Sequence, residues 1–212
     1  MAPARHVELA SLAEPIRTRL DASNAAREKG LGAARRTIQS SSQSIRATHR
    51  LEWDQAAQLA DAASQSLREA QDALKPYPQL AASGPLHDAA KEYVEARLTL
   101  ALCAGHPLTP ATDLGVSDAS WLNGLAEAAS ELRRHILDRL RAGDLAHGEE
   151  LLTAMDDVYA LLVTVDYPDA LTGGLRRTTD ALRPVLERTR GDLTTTILQQ
   201  RLQRAIEGRL PE

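Results

Sequence analysis

The sequence predicts an all-α chain folded as a single-domain helical bundle over residues 1–212. Three observations carry that expectation. Apolar side chains recur at the three- and four-residue spacing of a helix face, as in Ala56, Leu59, Ala63, Leu67 and Ala70, or Trp121, Leu125, Ala128, Leu132 and Ile136. No proline interrupts the chain between Pro15 and Pro76, so long helices are allowed there. No segment reads as a strand, and neither a repeat nor a linker marks a domain boundary. With 43% hydrophobic and 25% charged residues, a chain of 212 residues has ample material for one core.

The elements come in order along the chain. A first amphipathic segment runs from Glu14 to roughly Gly30. Gly30 and Gly32 are either a break or a tolerated weakness before a second segment, Ala33 to His49. Within it, Ser40-Ser41-Ser42-Gln43-Ser44 reads as a polar helical face, since Ile38 and Ile45 flank it and it holds no Gly or Pro. Trp53 to Leu74 comes next, closed by Lys75-Pro76-Tyr77-Pro78, and a further helix begins after Pro85 and reaches Cys103. Beyond the loop that opens at Gly105, Asp118 is expected to cap a helix from Ala119 to Arg141. Gly143 stops it, and Asp144 caps the next helix, Glu149 to Val165, which Asp166-Tyr167-Pro168 ends. Thr172-Gly173-Gly174 opens Leu175 to Arg190, which Pro184 is expected to bend, and Asp192 caps a last helix ending near Gly208.

Composition also excludes much. The lone cysteine, Cys103, sits at an apolar helical position and reads as a core residue of a protein at home in a reducing compartment. No stretch approaches the roughly 20 apolar residues of a membrane span, and Met1 to Arg5 lead into no signal-peptide core, so a cytoplasmic location is expected. Gly30-Leu31-Gly32 lacks the context of a phosphate loop. The histidines (His6, His49, His87, His106, His135, His147) are scattered without metal-ligand spacing. With no Phe and 3% aromatic residues, base stacking on a sheet is a poor fit.

Two features remain. From Arg27 to Arg50, six basic residues stand against the single acid Glu28, although the whole chain carries −4. Arg35, Gln39, Ser42, Arg46 and Arg50 lie close to one helical line, which suits either a phosphate backbone or a solvated face. The second feature is acidic. Glu92 and Glu95 are three residues apart on an unusually apolar helix, and Glu127 and Glu131 are four apart, so each pair shares a side of its helix. Carboxylates on a buried helix need a cation, a metal or a wet cavity. Two such pairs could form an oxygen-rich site for Mg²⁺ or Mn²⁺. The spacing alone also fits solvated faces, since paired acids arise often among 29 acidic residues.

The stretch Ala90-Lys91-Glu92-Tyr93-Val94-Glu95-Ala96 resembles the glutamate-bearing helix of the translin family, most closely its translin-associated factor X branch. The likeness continues through Trp121 to Arg134, where the family has a second acidic pair. It is densest in Asp166-Tyr167-Pro168-Asp169-Ala170-Leu171-Thr172, Gly174-Leu175-Arg176-Arg177-Thr178-Thr179-Asp180 and Glu187 to Leu193, and Ile45 to Arg50 is similar to the family's basic segment. The resemblance implies a protomer of about seven helices assembling into a hollow, typically octameric shell that binds single-stranded RNA or DNA. It further implies that Glu92, Glu95, Glu127 and Glu131 hold Mg²⁺ or Mn²⁺ in an endoribonuclease acting on single-stranded RNA, with Arg35, Arg46, His49 and Arg50 holding the backbone. The alternative is a non-catalytic single-stranded RNA- or DNA-binding protein of the same fold, and a third is a helical assembly scaffold. Two departures stand out: Glu127 replaces the family's common aspartate, and Pro184 falls inside its Arg-rich helix.

Overall fold

The computed structural model describes residues 5–81 and 84–207, and within them every regular element is helical. Six helices are long: α1 (Arg5–His49), α2 (Trp53–Leu74), α4 (Gly84–Ala104), α6 (Asp118–Arg141), α7 (Leu145–Leu162) and α9 (Leu175–Glu207). Between them lie three single turns, α3 (Pro78–Ala81), α5 (Ala111–Leu114) and α8 (Asp169–Thr172). The α1–α2 hairpin packs on α4, α4 packs on α6, and α7 and α9 cover the far side of α6. The two acid-bearing helices therefore stand back to back in the middle of the bundle. Leu67, Leu98, Leu125, Leu132, Ile136, Met155, Leu162 and Leu182 fill the space around them.

Several boundaries differ from those the sequence predicts, each for a local reason. Gly30 is no break. It is buried inside a continuous α1, and a Cβ there would lie 2.8 Å from Leu74 Cγ, so the glycine lets α1 and α2 approach closely. The cap of α6 is Ser117, whose hydroxyl accepts the Ser120 amide at 3.2 Å, and Asp118 is the first helical residue. Asp144 caps α7 by accepting from the His147 amide at 3.2 Å, which starts that helix at Leu145 rather than Glu149. Asp192 caps nothing. It receives Arg133 Nη2 at 2.8 Å from within an unbroken α9 that runs through Pro184 and Gly191. The expected end near Gly208 lies outside the described residues.

Asn123 ties the middle of the bundle to the segment where the family likeness is densest. Its buried amide donates to the Ala119 and Thr172 carbonyls at 2.8 and 2.7 Å, and its oxygen accepts Thr178 Oγ1 at 2.6 Å. That motif thus fixes α6 against the α8–α9 corner. Cys103 is buried and free, as expected, and burial pushes its thiol up to about 12. Among the described residues no helix is long and apolar enough to cross a membrane.

Candidate metal and nucleic-acid site

The site begins at a glycine. Where α4 and α6 cross, a Cβ on Gly124 would lie 2.6 Å from Val94 Cγ1, 2.7 Å from Val94 Cβ and 2.9 Å from the Lys91 carbonyl oxygen. Only glycine permits that approach. Three residues further along α6 comes Glu127, and flanking Val94 on α4 are Glu92 and Glu95, so the close crossing brings acids of two helices together. One carboxylate oxygen each from Glu92, Glu95 and Glu127 lies within 4.8 Å of the others. Among the described residues it is the one group of three potential metal ligands.

The electrostatics match the geometry. Burial, then the charges of Glu127, Glu92 and Glu131, push the Glu95 carboxyl up to about 9, so this acid keeps its proton at neutral pH unless a cation joins it. Glu92 is raised as well, mainly by burial, with Lys91 opposing. Lys91 Nζ donates to Glu127 Oε1 at 2.7 Å and stands 4.0 Å from Glu92 Oε1. Half-buried oxygen donors from three carboxylates form the donor set that hard divalent cations favour.

Glu131 stands apart from this trio. Its Oε2 accepts from His49 Nε2 at 2.7 Å, across from α1, and the His49 ring is buried with Nδ1 unpartnered. Next to the pair opens a cavity of about 340 Å³ lined by Ser42, Ile45, Arg46 and His49 of α1, Glu92 and Glu95 of α4, and Glu131 and Arg134 of α6. Arg46 donates to Ser42 Oγ at 2.7 Å and remains exposed at the rim, as does Arg134.

Of the sequence-expected residues, Glu92, Glu95, Glu127, Glu131, Arg46 and His49 thus meet in one region. Two do not. Arg50 falls in the turn after α1, where its guanidinium grips Glu52 through contacts of 2.6 to 3.0 Å, and Arg35 lies exposed about two helical turns before Ser42, the first α1 residue of the cavity. Sequence reasoning assigned no role to Lys91 or Arg134. Arg134 had a signal, coming three residues after Glu131 on one side of α6, whereas Lys91 meets Glu127 across two helices, a contact that no spacing within α4 announces.

Comparisons with known proteins identify relatives of this fold. The fold superposes on AfC3PO with a TM-score of 0.80 at 33% identity, covering 88% of this chain and 97% of that one. The structure of AfC3PO in complex with duplex RNA matches equally well, at 34% identity over 88% and 96% of the two chains. The chain belongs to the translin/C3PO family. NeC3PO, at 17% identity and a TM-score of 0.77 over 86% and 96% of the chains, shares the fold. An uncharacterized protein of Methanocaldococcus jannaschii is 34% identical over 87 residues, a match covering 41% of this chain and 39% of that protein's length. No protein-family model matches the sequence.

Proposed function

We propose that this translin/C3PO-family chain binds RNA and cleaves it with the help of a divalent cation held by Glu92, Glu95 and Glu127. The observation that carries the reading is the convergence of three carboxylates from two helices beside a cavity whose rim is arginine. AfC3PO, at 34% identity, forms a complex with duplex RNA, which supports RNA as the ligand class.

Each group has a task under this reading. Arg46 and Arg134 hold phosphates at the rim, adding affinity without choosing sequence. Glu92, Glu95 and Glu127 bind the cation, and its charge removes the repulsion that keeps Glu95 protonated. Bound there, Mg²⁺ or Mn²⁺ supplies Lewis-acid stabilisation of the charge that develops on a phosphate oxygen. Glu131 Oε2 is engaged by His49, which leaves Oε1 to take the proton of an attacking water; this makes Glu131 the proposed general base rather than a fourth ligand. Single-stranded RNA is the substrate proposed, because unpaired strands leave each phosphate free to reach the acids beside the cavity.

The proposal extends to assembly into a homo-oligomeric shell, an octamer by the family likeness. Supporting it, the first half of α1 exposes Val7, Leu9, Leu12, Ile16 and Leu20, and the end of α9 exposes Leu198, Leu202 and Ile206, apolar surface that a second copy would cover. The deciding experiment incubates purified protein with labelled single-stranded RNA. The expected result is cleavage that EDTA stops and Mg²⁺ or Mn²⁺ restores, and that Glu92→Gln abolishes while RNA stays bound. Tight binding without cleavage under either metal would favour the rival reading, a binding protein of the same fold.

A further inference from the structure

The acid trio already has a cation of its own. Lys91 Nζ sits 2.7 Å from Glu127 Oε1 and 4.0 Å from Glu92 Oε1, with its side chain about four-fifths covered. This is no solvated surface pair. The three carboxylates crowd within 4.8 Å, and one ammonium offsets only part of their charge. A divalent ion entering the trio shares the Glu127 carboxylate with Lys91 and repels an ammonium a few ångströms away. Lysine, unlike arginine, carries its charge on a flexible four-carbon stem as a compact, strongly hydrated point, so it can leave without breaking a planar, forked pair. Its backbone is fixed, however, because the Lys91 carbonyl lies at the Gly124 crossing.

We infer that Lys91 is a tethered counter-ion which holds the acid trio in the metal-free protein and which a divalent cation must displace from Glu127, so that this lysine sets the metal concentration at which the site fills. The inference rests on the metal reading above. It assigns Lys91 a positioning role, acting through Glu127 and Glu92. Two consequences distinguish it from a merely structural lysine. Removing the charge weakens the metal-free protein, because the acids lose their partner, yet tightens metal binding, because the competitor is gone. The two effects have opposite signs.

The test is direct Mn²⁺ binding to the full chain, monitored through the electron paramagnetic resonance signal of free Mn²⁺, together with melting temperatures with and without Mn²⁺. Wild type, Lys91→Met, Lys91→Gln and Glu92→Gln are compared. Lys91→Met keeps the stem and Lys91→Gln keeps a donor for Glu127; both are expected to bind Mn²⁺ about tenfold more tightly than wild type, equivalent to about 1.4 kcal/mol. Both should melt below wild type without metal and show a larger upward shift when Mn²⁺ is added. If Lys91→Met does not fold, Lys91→Gln decides. Unchanged or weaker Mn²⁺ affinity in the lysine variants, with Glu92→Gln still abolishing binding, overturns the role of Lys91 and leaves the metal reading intact. Mn²⁺ binding that is absent in wild type and in both lysine variants, or that survives unaltered in Glu92→Gln, overturns both.

Discussion

Replacing Gly124 with alanine is the smallest change that should disturb the whole site. The added Cβ would lie 2.6 and 2.7 Å from Val94 atoms and 2.9 Å from the Lys91 carbonyl oxygen, whereas carbon contacts settle near about 3.5 to 4.0 Å. Val94 cannot swing aside, because it is fully buried, and the carbonyl belongs to the α4 backbone. The helices must therefore part by about 1 Å at the crossing. Overpacking of this kind costs about 1–3 kcal/mol, and alanine returns at most about 1 kcal/mol through its better helix propensity. With a net loss of about 1–2 kcal/mol, the melting temperature should fall by about 2–8 °C in a chain of this size. The same displacement loosens the acid trio, so Mn²⁺ affinity should fall as well. Adding Val94→Ala should rescue only in part, since Cγ1 leaves while Cβ and the Lys91 carbonyl remain. Calorimetry and Mn²⁺ titration read both effects. A Gly124→Ala protein that melts at or above the wild-type temperature and binds Mn²⁺ equally well would refute the claim that this glycine sets the crossing.

The same geometry has further testable outcomes. Glu95 holds a proton in the folded chain up to about pH 9 but releases it near 4.5 when unfolded, so its contribution to stability is complete below 4.5 and is lost as pH rises toward 9, by up to about 1.4 kcal/mol per pH unit. Denaturation of metal-free protein across that window should show the decline, and Glu95→Gln should flatten it. His135 behaves oppositely: burial, Arg139 and the neighbouring His147 and His49 lower it from 6.5 to about 4, so stability is complete above 6.5 and is lost as pH falls toward 4, a slope that His135→Leu should remove. For RNA, Arg46→Ala should weaken binding about equally for every sequence and reduce the log–log salt slope by roughly one unit per lost phosphate contact. Arg50→Ala should change that slope much less, because Glu52 already occupies its guanidinium. Sedimentation should find a species several times the 23.0 kDa protomer, and a monomer at micromolar concentration would remove the shell.

Much of this architecture is legible in the periodicity of the chain. Most of the helical stripes of α2 and α6 lies in the core as the three- and four-residue spacing demands, with Leu59 and Trp121 only half-buried, and the cap at Asp144 is readable from Gly143-Asp144. Packing decides what local chemistry left open or misdirected: Gly30 is the tolerated weakness rather than the break, held against Leu74, and α9 continues through Gly191 and Asp192 with Thr189 and Leu193 buried on either side. At the site, intrahelical spacing pairs the acids correctly within each helix but carries no information about the offset between α4 and α6. Gly124 sets that offset, and it places Glu127 with the α4 acids and turns Glu131 toward His49. Arg50 leaves the basic line because the helix ends one residue before it. The chain turns there, with Leu51 at φ 63°, and the arginine closes on Glu52.

At the centre of the proposed chemistry, Glu92, Glu95 and Glu127 share one divalent cation. Crystals grown with Mn²⁺ and measured at the manganese absorption edge test this most directly. The expected result is a single anomalous peak bonded to oxygens of these three residues, with Glu131 still on His49. Anomalous density absent from the trio at saturating Mn²⁺, with Lys91 still bonded to Glu127, would contradict it.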